Sequence, residues 1–287
     1  MNKILLCLLA LCLARVSTAQ PLAAQDGLDA VNWVQTSAES KIAARQAYRL
    51  ASLQLDAALR DKSWSAATEQ VVPFGKLPPA IILDLDETIL DNSFFQARIV
   101  RDDAPYSDAA WESWVAQSDA PALPGSVEFL NLAAKKGVQI FYVSNRGAGE
   151  EAATRENLRR IGCPLQGLGD HVLLNGERPD WTTNKTSRRR FVAQRHRVLL
   201  LVGDDMNDFL PVKPLSPEQR LVLAARFEKF WGERWILLSN PLYGSWQSAL
   251  LSYRNDLSRQ EILHRKYDAL QTREPAAPAP PVTGAAR

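Results

Sequence analysis

The sequence predicts an α/β fold in which helices cover both faces of a doubly wound parallel sheet, with a small helical cap and an N-terminal helical extension. Two observations favour this class. Short apolar runs, typical of buried parallel strands, alternate with helical stretches along the chain. Polar clusters follow three of these runs, and parallel sheets bind ligands at the carboxyl ends of their strands.

The first residues, 1–19, have the features of a secretory signal peptide. One early lysine precedes an apolar core over residues 4–13, and small residues close the segment. The core is too short for a membrane span. Leu11 stands directly before Cys12, which argues against a lipoprotein signal and a stable membrane anchor. We therefore expect a protein that is secreted across the inner membrane into a bacterial periplasm.

Cleavage of this signal also bears on cysteine content and charge. Cys163 would be the one remaining cysteine, so no internal disulfide is expected. Lys3 and Arg15 would leave the set of 34 basic residues, which would then balance the 32 acidic ones. A net charge near zero gives no indication of binding to a nucleic acid polymer or to a membrane surface.

The chain then divides by composition and periodicity. The parts are a signal peptide (1–19), an N-terminal helical extension (20–76), an α/β core (77–250) with a small cap around 94–123, a C-terminal helix (251–274) and a disordered proline- and alanine-rich tail (275–287). Within the extension, apolar residues spaced three or four apart predict one helix over 26–60.

Five apolar runs predict the strands of the core. They lie at residues 78–83, 138–143, 172–174, 198–202 and 235–238. A capped helix with two tryptophans follows the first strand, and another helix is predicted over 217–231. The arginines at 188–190 are interpreted mainly as a solvated helix face. Trp114 and Trp246 are expected in the core, and the three histidines at packing or surface positions.

The first strand ends in Asp84-Leu85-Asp86-Glu87-Thr88. Because strand residues alternate between faces, Asp84 and Asp86 share one side. Two carboxylates at the end of a buried strand are costly unless a cation or hydrogen-bond donors compensate them. A calcium loop of the EF-hand kind requires glycine at its sixth position, which here is Ile89. The stretch therefore predicts a different metal site.

Polar residues at the other strand ends fit phosphoryl transfer, which depends on positioning and on charge stabilisation. Ser144 and Asn145 follow the second strand and could donate hydrogen bonds to phosphate oxygens. Lys185 would supply positive charge. Magnesium prefers oxygen ligands and keeps several waters, so two carboxylates and a phosphate suit it.

These motifs resemble, in their order, those of the haloacid dehalogenase (HAD) superfamily. The matching segments are Asp84-Leu85-Asp86-Glu87-Thr88, Tyr142-Val143-Ser144-Asn145-Arg146, Lys185 and Gly203-Asp204-Asp205-x-x-Asp208-Phe209. Flanking segments are similar to the bacterial class C acid phosphatases, which form subfamily IIIB and include 5'-nucleotidases of the outer-membrane lipoprotein type. These segments are Trp33-x-Gln35-x-Ser37-Ala38-Glu39, Leu90-Asp91-Asn92-Ser93, Pro124-Gly125 and Asn240-Pro241-x-Tyr243-Gly244-x-Trp246.

The resemblance implies a role for each matching residue. Asp84 would be the nucleophile that forms an aspartyl-phosphate, and Asp86 the general acid and then the base. One Mg²⁺ per chain would be held by Asp84, the main-chain carbonyl of Asp86, and Asp204. The positions that match phosphate-binding residues are Ser144, Asn145 and Lys185. Asp205 and Asp208 would hold the waters of the metal, and Trp111 and Tyr243 would present their rings to a nucleobase.

The sequence therefore predicts an exported, Mg²⁺-dependent acid phosphatase that hydrolyses small phosphate monoesters, with nucleoside monophosphates as the expected substrates. Two alternatives stay open at this point. One is a phosphotransferase on the same scaffold, and the other is a non-catalytic surface or storage protein. A homodimer is compatible with the sequence.

Overall fold

The computed structural model describes residues 27–71, 73–165 and 169–272. The predicted signal peptide at 1–19 and the predicted tail at 275–287 lie outside these residues. Among the helices in the described ranges, none combines the length and the apolar character needed to cross a membrane.

One sheet of five parallel strands forms the centre of the molecule, in the order β3-β2-β1-β4-β5. The strands are β1 (Pro79–Leu83), β2 (Gln139–Gly147), β3 (Val172–Asn175), β4 (Arg197–Gly203) and β5 (Trp235–Leu237). Strand β4 is buried along its whole length, and β1 at every residue after its first, as expected for parallel strands covered on both faces.

Helices connect and flank the strands. They are α1 (Leu28–Thr36), α2 (Ala38–Arg60), α3 (Ser93–Asp102), α4 (Asp108–Val115), α5 (Ser126–Lys135), α6 (Glu151–Arg160), α7 (Thr186–Ala193), α8 (Pro217–Arg226), α9 (Ser245–Leu250) and α10 (Arg259–Asp268).

Each face of the sheet has its own apolar core, because successive strand residues point to opposite sides. Ile81 and Leu83 of β1 pack in the core that includes α2 and α5. Ala80 and Ile82 pack in the other core, which includes α7 and the fully buried Trp235. This arrangement confirms the predicted doubly wound α/β fold.

The prediction of a single helix over 26–60 is wrong, because the chain breaks at Ser37. Ser37 has an extended backbone, with φ −80° and ψ 142°, between α1 and α2. Its hydroxyl accepts a hydrogen bond of 3.1 Å from the amide of Ser40. A serine in this position caps the second helix by satisfying an amide that has no partner within the helix. The apolar spacing continues across the break and therefore conceals it.

Two further helices are shorter than predicted. Helix α8 ends at Arg226, and a short 3₁₀ turn follows at residues 228–230, so the helix does not reach residue 231. Of the helix predicted over 251–274, the residues described, up to 272, form only α10. Ser258 caps α10 by accepting a hydrogen bond of 3.3 Å from the amide of Glu261, so the helix cannot begin earlier.

Strand β2 is longer than predicted and continues past Val143 to Gly147. Its pairing with β3 is interrupted after Val143 and resumes where Gly147 lies beside Asn175. The residues Ser144 to Arg146 are therefore held in the strand extension, at the carboxyl edge of the sheet.

Between β1 and α5 the chain forms α3 and α4, whose aromatic side chains pack together. The ring of Phe95 lies 5.2 Å from Trp111, 6.4 Å from Trp114 and 6.3 Å from Tyr106, measured between centroids. We call these four residues the aromatic cluster. Their packing fixes α4 beside the loop that follows β1.

Candidate active site

Two aspartates leave neighbouring strands at the same edge of the sheet. Leu83 of β1 lies beside Val202 of β4, and the amide of Asp84 donates a 3.0 Å hydrogen bond to the Val202 carbonyl. Asp84 and Asp204 therefore end adjacent strands. Together with Asp208, they each place a carboxylate oxygen within 4.8 Å of the other two. We call these three side chains the carboxylate cluster.

Lys185 is the cation in contact with the carboxylate cluster. Its Nζ lies 2.5 Å from Asp84 and 2.6 Å from Asp208, and its side chain is only 4% exposed. Burial disfavours the charged ammonium, but the carboxylates of Asp208 and Asp84 outweigh it and raise the pKa of Lys185 above its ordinary value. Lys185 therefore stays positively charged.

Three carboxylates around one ammonium leave an excess of negative charge. Burial raises the pKa of Asp84 to about 7 against the opposing charge of Lys185, and repulsion by Asp208 and Asp86 adds to the effect. Burial, followed by repulsion from Asp208 and Asp84, also raises the pKa of Asp204 well above its usual range. A divalent cation would relieve this repulsion. The oxygen-only set of side chains fits a hard metal ion.

Two hydrogen bonds hold the carboxylate of Asp204. The hydroxyl of Thr88 donates to one oxygen at 2.8 Å, and the side-chain amide of Asn240 donates to the other at 2.9 Å. Thr88 is itself fixed by Tyr48 of α2, whose hydroxyl donates to the Thr88 carbonyl at 2.5 Å. The N-terminal extension thus supports the loop that carries Asp86.

Asp86 is oriented by a different set of partners. Arg146 donates from Nη2 at 2.8 Å and from Nε to both carboxylate oxygens at 3.1 and 3.2 Å. Asn92 donates from its side-chain amide at 2.9 Å. Arg146 is 2% exposed, so the ion pair is buried on the arginine side. This paired geometry fixes Asp86 beside, but outside, the carboxylate cluster.

Ser144 and Asn145 lie on the extension of β2, yet their side chains have different surroundings. The buried Ser144 hydroxyl contacts Asp86 at 3.4 Å. The side-chain amide of Asn145 donates to the carbonyl of Thr183 at 3.1 Å, and its oxygen accepts from Arg188 at 2.7 Å. The structure therefore brings Ser144 to Asp86 and ties Asn145 to the segment before α7.

Asp205 and Asp208 are also separated by their contacts. Asp208 belongs to the carboxylate cluster, whereas Asp205 accepts hydrogen bonds from the hydroxyl of Ser245 and, at 2.5 Å, from its amide. Asp205 also accepts from the amide of Asn207 at 2.8 Å. The geometry places the Asp205 carboxylate at the start of α9, where it anchors the loop.

Trp111 lies one side chain away from Asp86, and Tyr243 contacts the acid that follows Asp86 in the chain. The guanidinium of Arg146 lies over the Trp111 ring, 5.7 Å from its centroid. The Tyr243 hydroxyl donates to the carboxylate of Glu87. Both rings are half-buried, so each keeps some exposed surface near the site.

Glu87 is a buried acid next to Asp86 to which the sequence analysis gives no role. Burial raises its pKa well above the usual range, and the carboxylates of Asp86 and Asp204 act in the same direction. Its backbone has φ +57°, in the left-handed region, and its amide donates to the Leu90 carbonyl at 2.9 Å. Glu87 therefore closes the turn after β1 and connects it to Tyr243.

The two other tryptophans differ in their exposure. Trp114 is buried as expected, and its indole donates to Asn92 at 2.8 Å. The expectation that Trp246 lies in the core is wrong, because 41% of this residue is exposed. Its indole donates a hydrogen bond of 3.3 Å to the nearby carbonyl of Tyr243. The short helix α9 presents this side chain outward.

The interpretation of residues 188–190 as a solvated helix face is wrong for two of the three arginines. Arg188 and Arg189 are fully buried, and only Arg190 is exposed. Arg189 forms an ion pair with Glu69 at 2.8 Å, and Glu69 is 120 residues away in the chain. A partner so distant leaves no local pattern in the sequence.

The fold and this site together define a protein of the HAD superfamily: a central parallel strand ends in Asp84 and Asp86, and a lysine meets carboxylates from two strand ends. Within the superfamily, the chain belongs to subfamily IIIB, the acid phosphatases, whose family model matches residues 13–246. The resemblance predicted from the motifs is therefore confirmed. The family consists of phosphomonoesterases that normally use a divalent metal.

A solved structure supports the same assignment over nearly the whole fold. The class C acid phosphatase from Bacillus anthracis is 36% identical to this chain and superposes with a TM-score of 0.77, covering 86% of this chain and 98% of that one. A structure of the same enzyme with tungstate bound gives the same values.

Curated plant proteins match a shorter part. Acid phosphatase 1 of Solanum lycopersicum is 29% identical over 136 residues, which is 45% of this chain and 51% of the relative. A stem 28 kDa glycoprotein of Glycine max is 23% identical over 134 residues, or 45% and 52% of the two chains. The chain thus spans about half the length of the curated relatives it matches.

Proposed function

We propose that this protein is an exported, Mg²⁺-dependent acid phosphatase that hydrolyses phosphate monoesters through an aspartyl-phosphate on Asp84. The observation that carries the proposal is the contact of Lys185 with Asp84 and Asp208 inside the carboxylate cluster. A buried lysine beside a strand-end aspartate both orients the nucleophile and offsets the negative charge of an incoming phosphate.

In the first step, a carboxylate oxygen of Asp84 attacks phosphorus, and the bond from phosphorus to the ester oxygen breaks. Asp86 gives its proton to the departing oxygen, which leaves as an alcohol. Ser144, Asn145 and Lys185 would donate hydrogen bonds to the phosphoryl oxygens. Arg146 keeps the carboxyl of Asp86 in one orientation through three contacts of 2.8–3.2 Å.

In the second step, Asp86 removes a proton from water, whose oxygen attacks the phosphorus of the aspartyl-phosphate. The bond between phosphorus and Asp84 breaks, inorganic phosphate forms, and the Asp84 carboxylate is restored. A bound magnesium ion, held by Asp84, Asp204 and the main-chain carbonyl of Asp86, would supply positive charge to the phosphoryl oxygens. Asp208 would keep Lys185 in place and contact the waters of the metal.

The substrates that we propose are small esters, with nucleoside monophosphates preferred. Residues 94–123 would form the cap, and the aromatic cluster gives this segment a ring-rich surface near Asp86. Trp111 and Tyr243 would stack on the base of the substrate. Both are half-buried; Trp111 lies against the arginine that holds Asp86, and Tyr243 is bonded to Glu87, the next residue in the chain. Stacking of this kind tolerates any base.

The contact of Lys185 with Asp84, together with Asp86 held by Arg146 two residues further along the chain, favours an enzyme over a non-catalytic storage protein. Our proposal places the mature enzyme in the periplasm, on the basis of the signal-like segment at 1–19. Hydrolysis is preferred to phosphotransfer, because water is always available as an acceptor.

The experiment that tests the proposal is a turnover assay of the purified mature protein on a panel of phosphate monoesters. Activity should disappear with a chelator and return with Mg²⁺. It should favour nucleoside monophosphates over glycerol phosphate. Full activity in the chelated protein would contradict the metal role, and no activity on any ester with Mg²⁺ present would contradict the phosphatase assignment.

A further inference from the structure

Helix α7 follows Lys185 directly and carries two fully buried arginines, Arg188 and Arg189. Burying a guanidinium is costly unless its donors are satisfied. Arg190, the next residue, is exposed and has no such contacts among the residues the structure describes. The burial of Arg188 and Arg189 therefore needs a physical explanation, whereas the exposure of Arg190 does not.

Arg188 donates to groups around the phosphate-binding residues. One guanidinium nitrogen donates to the main-chain carbonyl of Ser144. The other donates to the side-chain oxygen of Asn145 at 2.7 Å and to the carbonyl of Thr182 at 2.5 Å. No carboxylate in the described part of the chain pairs with Arg188, and burial lowers its pKa to about 10. Its two terminal nitrogens thus hold oxygens of the β2 extension and of the segment before α7, whereas Nε has no hydrogen-bond partner among the described residues.

Arg189 is bonded to the loop after β4. Its Nη1 donates to the main-chain carbonyls of Asp208 at 2.9 Å and of Asn207 at 3.2 Å. Its Nε and Nη2 donate to one oxygen of Glu69, at 3.0 and 2.8 Å. Glu69 is itself buried, at 9% exposure, so the pair forms a fixed strut behind the loop.

The segment just before α7 joins both loops as well. The carbonyl of Thr183 accepts from the side-chain amides of Asn145, at 3.1 Å, and of Asn207, at 2.8 Å. The extension of β2 and the loop after β4 thus meet at one carbonyl. Helix α7 then contacts each of them through a separate arginine.

We propose that Arg188 and Arg189 are positioning residues with divided tasks: Arg188 sets the phosphate-binding residues Ser144 and Asn145, and Arg189, braced by Glu69, sets the metal-binding loop Asp204–Asp208. This inference rests on the proposed phosphatase function. It implies that α7 fixes the position of the phosphate site relative to the metal site, because Lys185 and both arginines belong to one continuous segment.

The test replaces each arginine by lysine, which keeps the charge but loses the forked donors. A misplacement of about 1 Å can reduce catalysis by about 100-fold, so effects of about 10-fold to 100-fold are expected. Arg188→Lys should raise the Kd of orthophosphate and the KM of the ester by that factor, with the Kd of Mg²⁺ unchanged. Arg189→Lys should raise the Kd of Mg²⁺, with orthophosphate binding at saturating Mg²⁺ unchanged.

Both dissociation constants are measured by calorimetry on the mature protein after the metal and the chelator have been removed, so the readout does not depend on turnover. Orthophosphate is titrated in saturating Mg²⁺. The matched control is Arg190→Lys, the exposed neighbour on the same helix, which should leave all constants at wild-type values. Glu69→Gln provides a second, milder variant of the Arg189 strut and should change Mg²⁺ binding in the same direction. Melting temperatures are recorded for every variant.

The divided roles would be contradicted if Arg188→Lys and Arg189→Lys weakened both ligands equally, or if neither differed from Arg190→Lys. They would also be contradicted if Arg188→Lys and Arg188→Gln both failed to fold, or if Arg189→Lys and Glu69→Gln both failed to fold. The arginine concerned would then be needed for folding alone. A wild-type protein that binds Mg²⁺ and orthophosphate but hydrolyses no ester would contradict the proposed function, yet leave this assignment measurable.

Discussion

In the metal-free protein, the free energy of unfolding should fall as the pH rises from about 4 to about 7. The cause is Asp84, whose pKa is raised by burial from 3.8 to about 7 in the folded state. Below about pH 4 the carboxyl is protonated in both states and costs the folded state nothing. Between the two values the unfolded chain releases the proton first, so rising pH favours unfolding.

The size of the effect follows from the shift in pKa. Each unit corresponds to about 1.4 kcal/mol, and a shift of about three units gives at most about 4 kcal/mol. In a protein of this size, 1 kcal/mol changes Tm by about 2–4 °C, so Asp84 should account for a fall of up to about 16 °C. Mg²⁺ should reverse the fall at neutral pH, because its binding requires the ionised carboxylate.

The assay follows tryptophan fluorescence during heating, at pH values from 4 to 8, with chelator or with Mg²⁺. The matched control is Asp84→Asn, which cannot ionise at this position and should lack this part of the pH dependence. The reasoning is refuted if the wild-type protein and Asp84→Asn show parallel Tm curves in chelator. It is also refuted if Mg²⁺ stabilises the wild-type protein equally at pH 5 and pH 8.

Four other outcomes are expected. Asp84→Asn should abolish turnover of a chromogenic phosphate and leave the circular dichroism spectrum unchanged; activity in the folded variant would exclude Asp84 as nucleophile. Trp111→Ala should raise KM for a nucleoside monophosphate by about 5-fold to 150-fold, with kcat nearly unchanged and glycerol phosphate little affected. Tyr243→Phe keeps the ring and should leave that KM near wild type, whereas Tyr243→Ala should raise it; equal effects of both would assign the role to the hydroxyl. Trp246→Ser should change stability by less than about 0.5 kcal/mol in chemical unfolding, because the residue is exposed.

The parts of the fold that depend on local pattern could be predicted from the sequence. Strand β4 is recognisable because a parallel strand covered on both faces must be an unbroken apolar run. Asp84 and Asp204 could be placed at one edge because parallel strands end together. The break at Ser37 could not be predicted, since a cap replaces one hydrogen bond without changing the apolar spacing on either side.

The missed residues depend on contacts between distant parts of the chain. Arg189 has the sequence pattern of a surface residue, because its buried partner Glu69 lies far earlier in the chain. Arg146 is within a recognised motif, but only the fold brings its guanidinium to Asp86. The exposure of Trp246 likewise follows from the direction in which α9 leaves the loop, which aromatic character alone does not fix.

The position of β1 in the sheet has a consequence for how the chain acquires its native state. β1 is the first strand in the sequence but the middle strand in space, and Ala80 pairs with Val198 of β4. Contacts between such distant segments slow folding, because the loop must close before the pairing stabilises it. Until β4 is in place, one side of β1 is an unpaired apolar edge, which favours aggregation. A chain cut before residue 197 would keep that open edge and would never assemble Asp84 with Asp204.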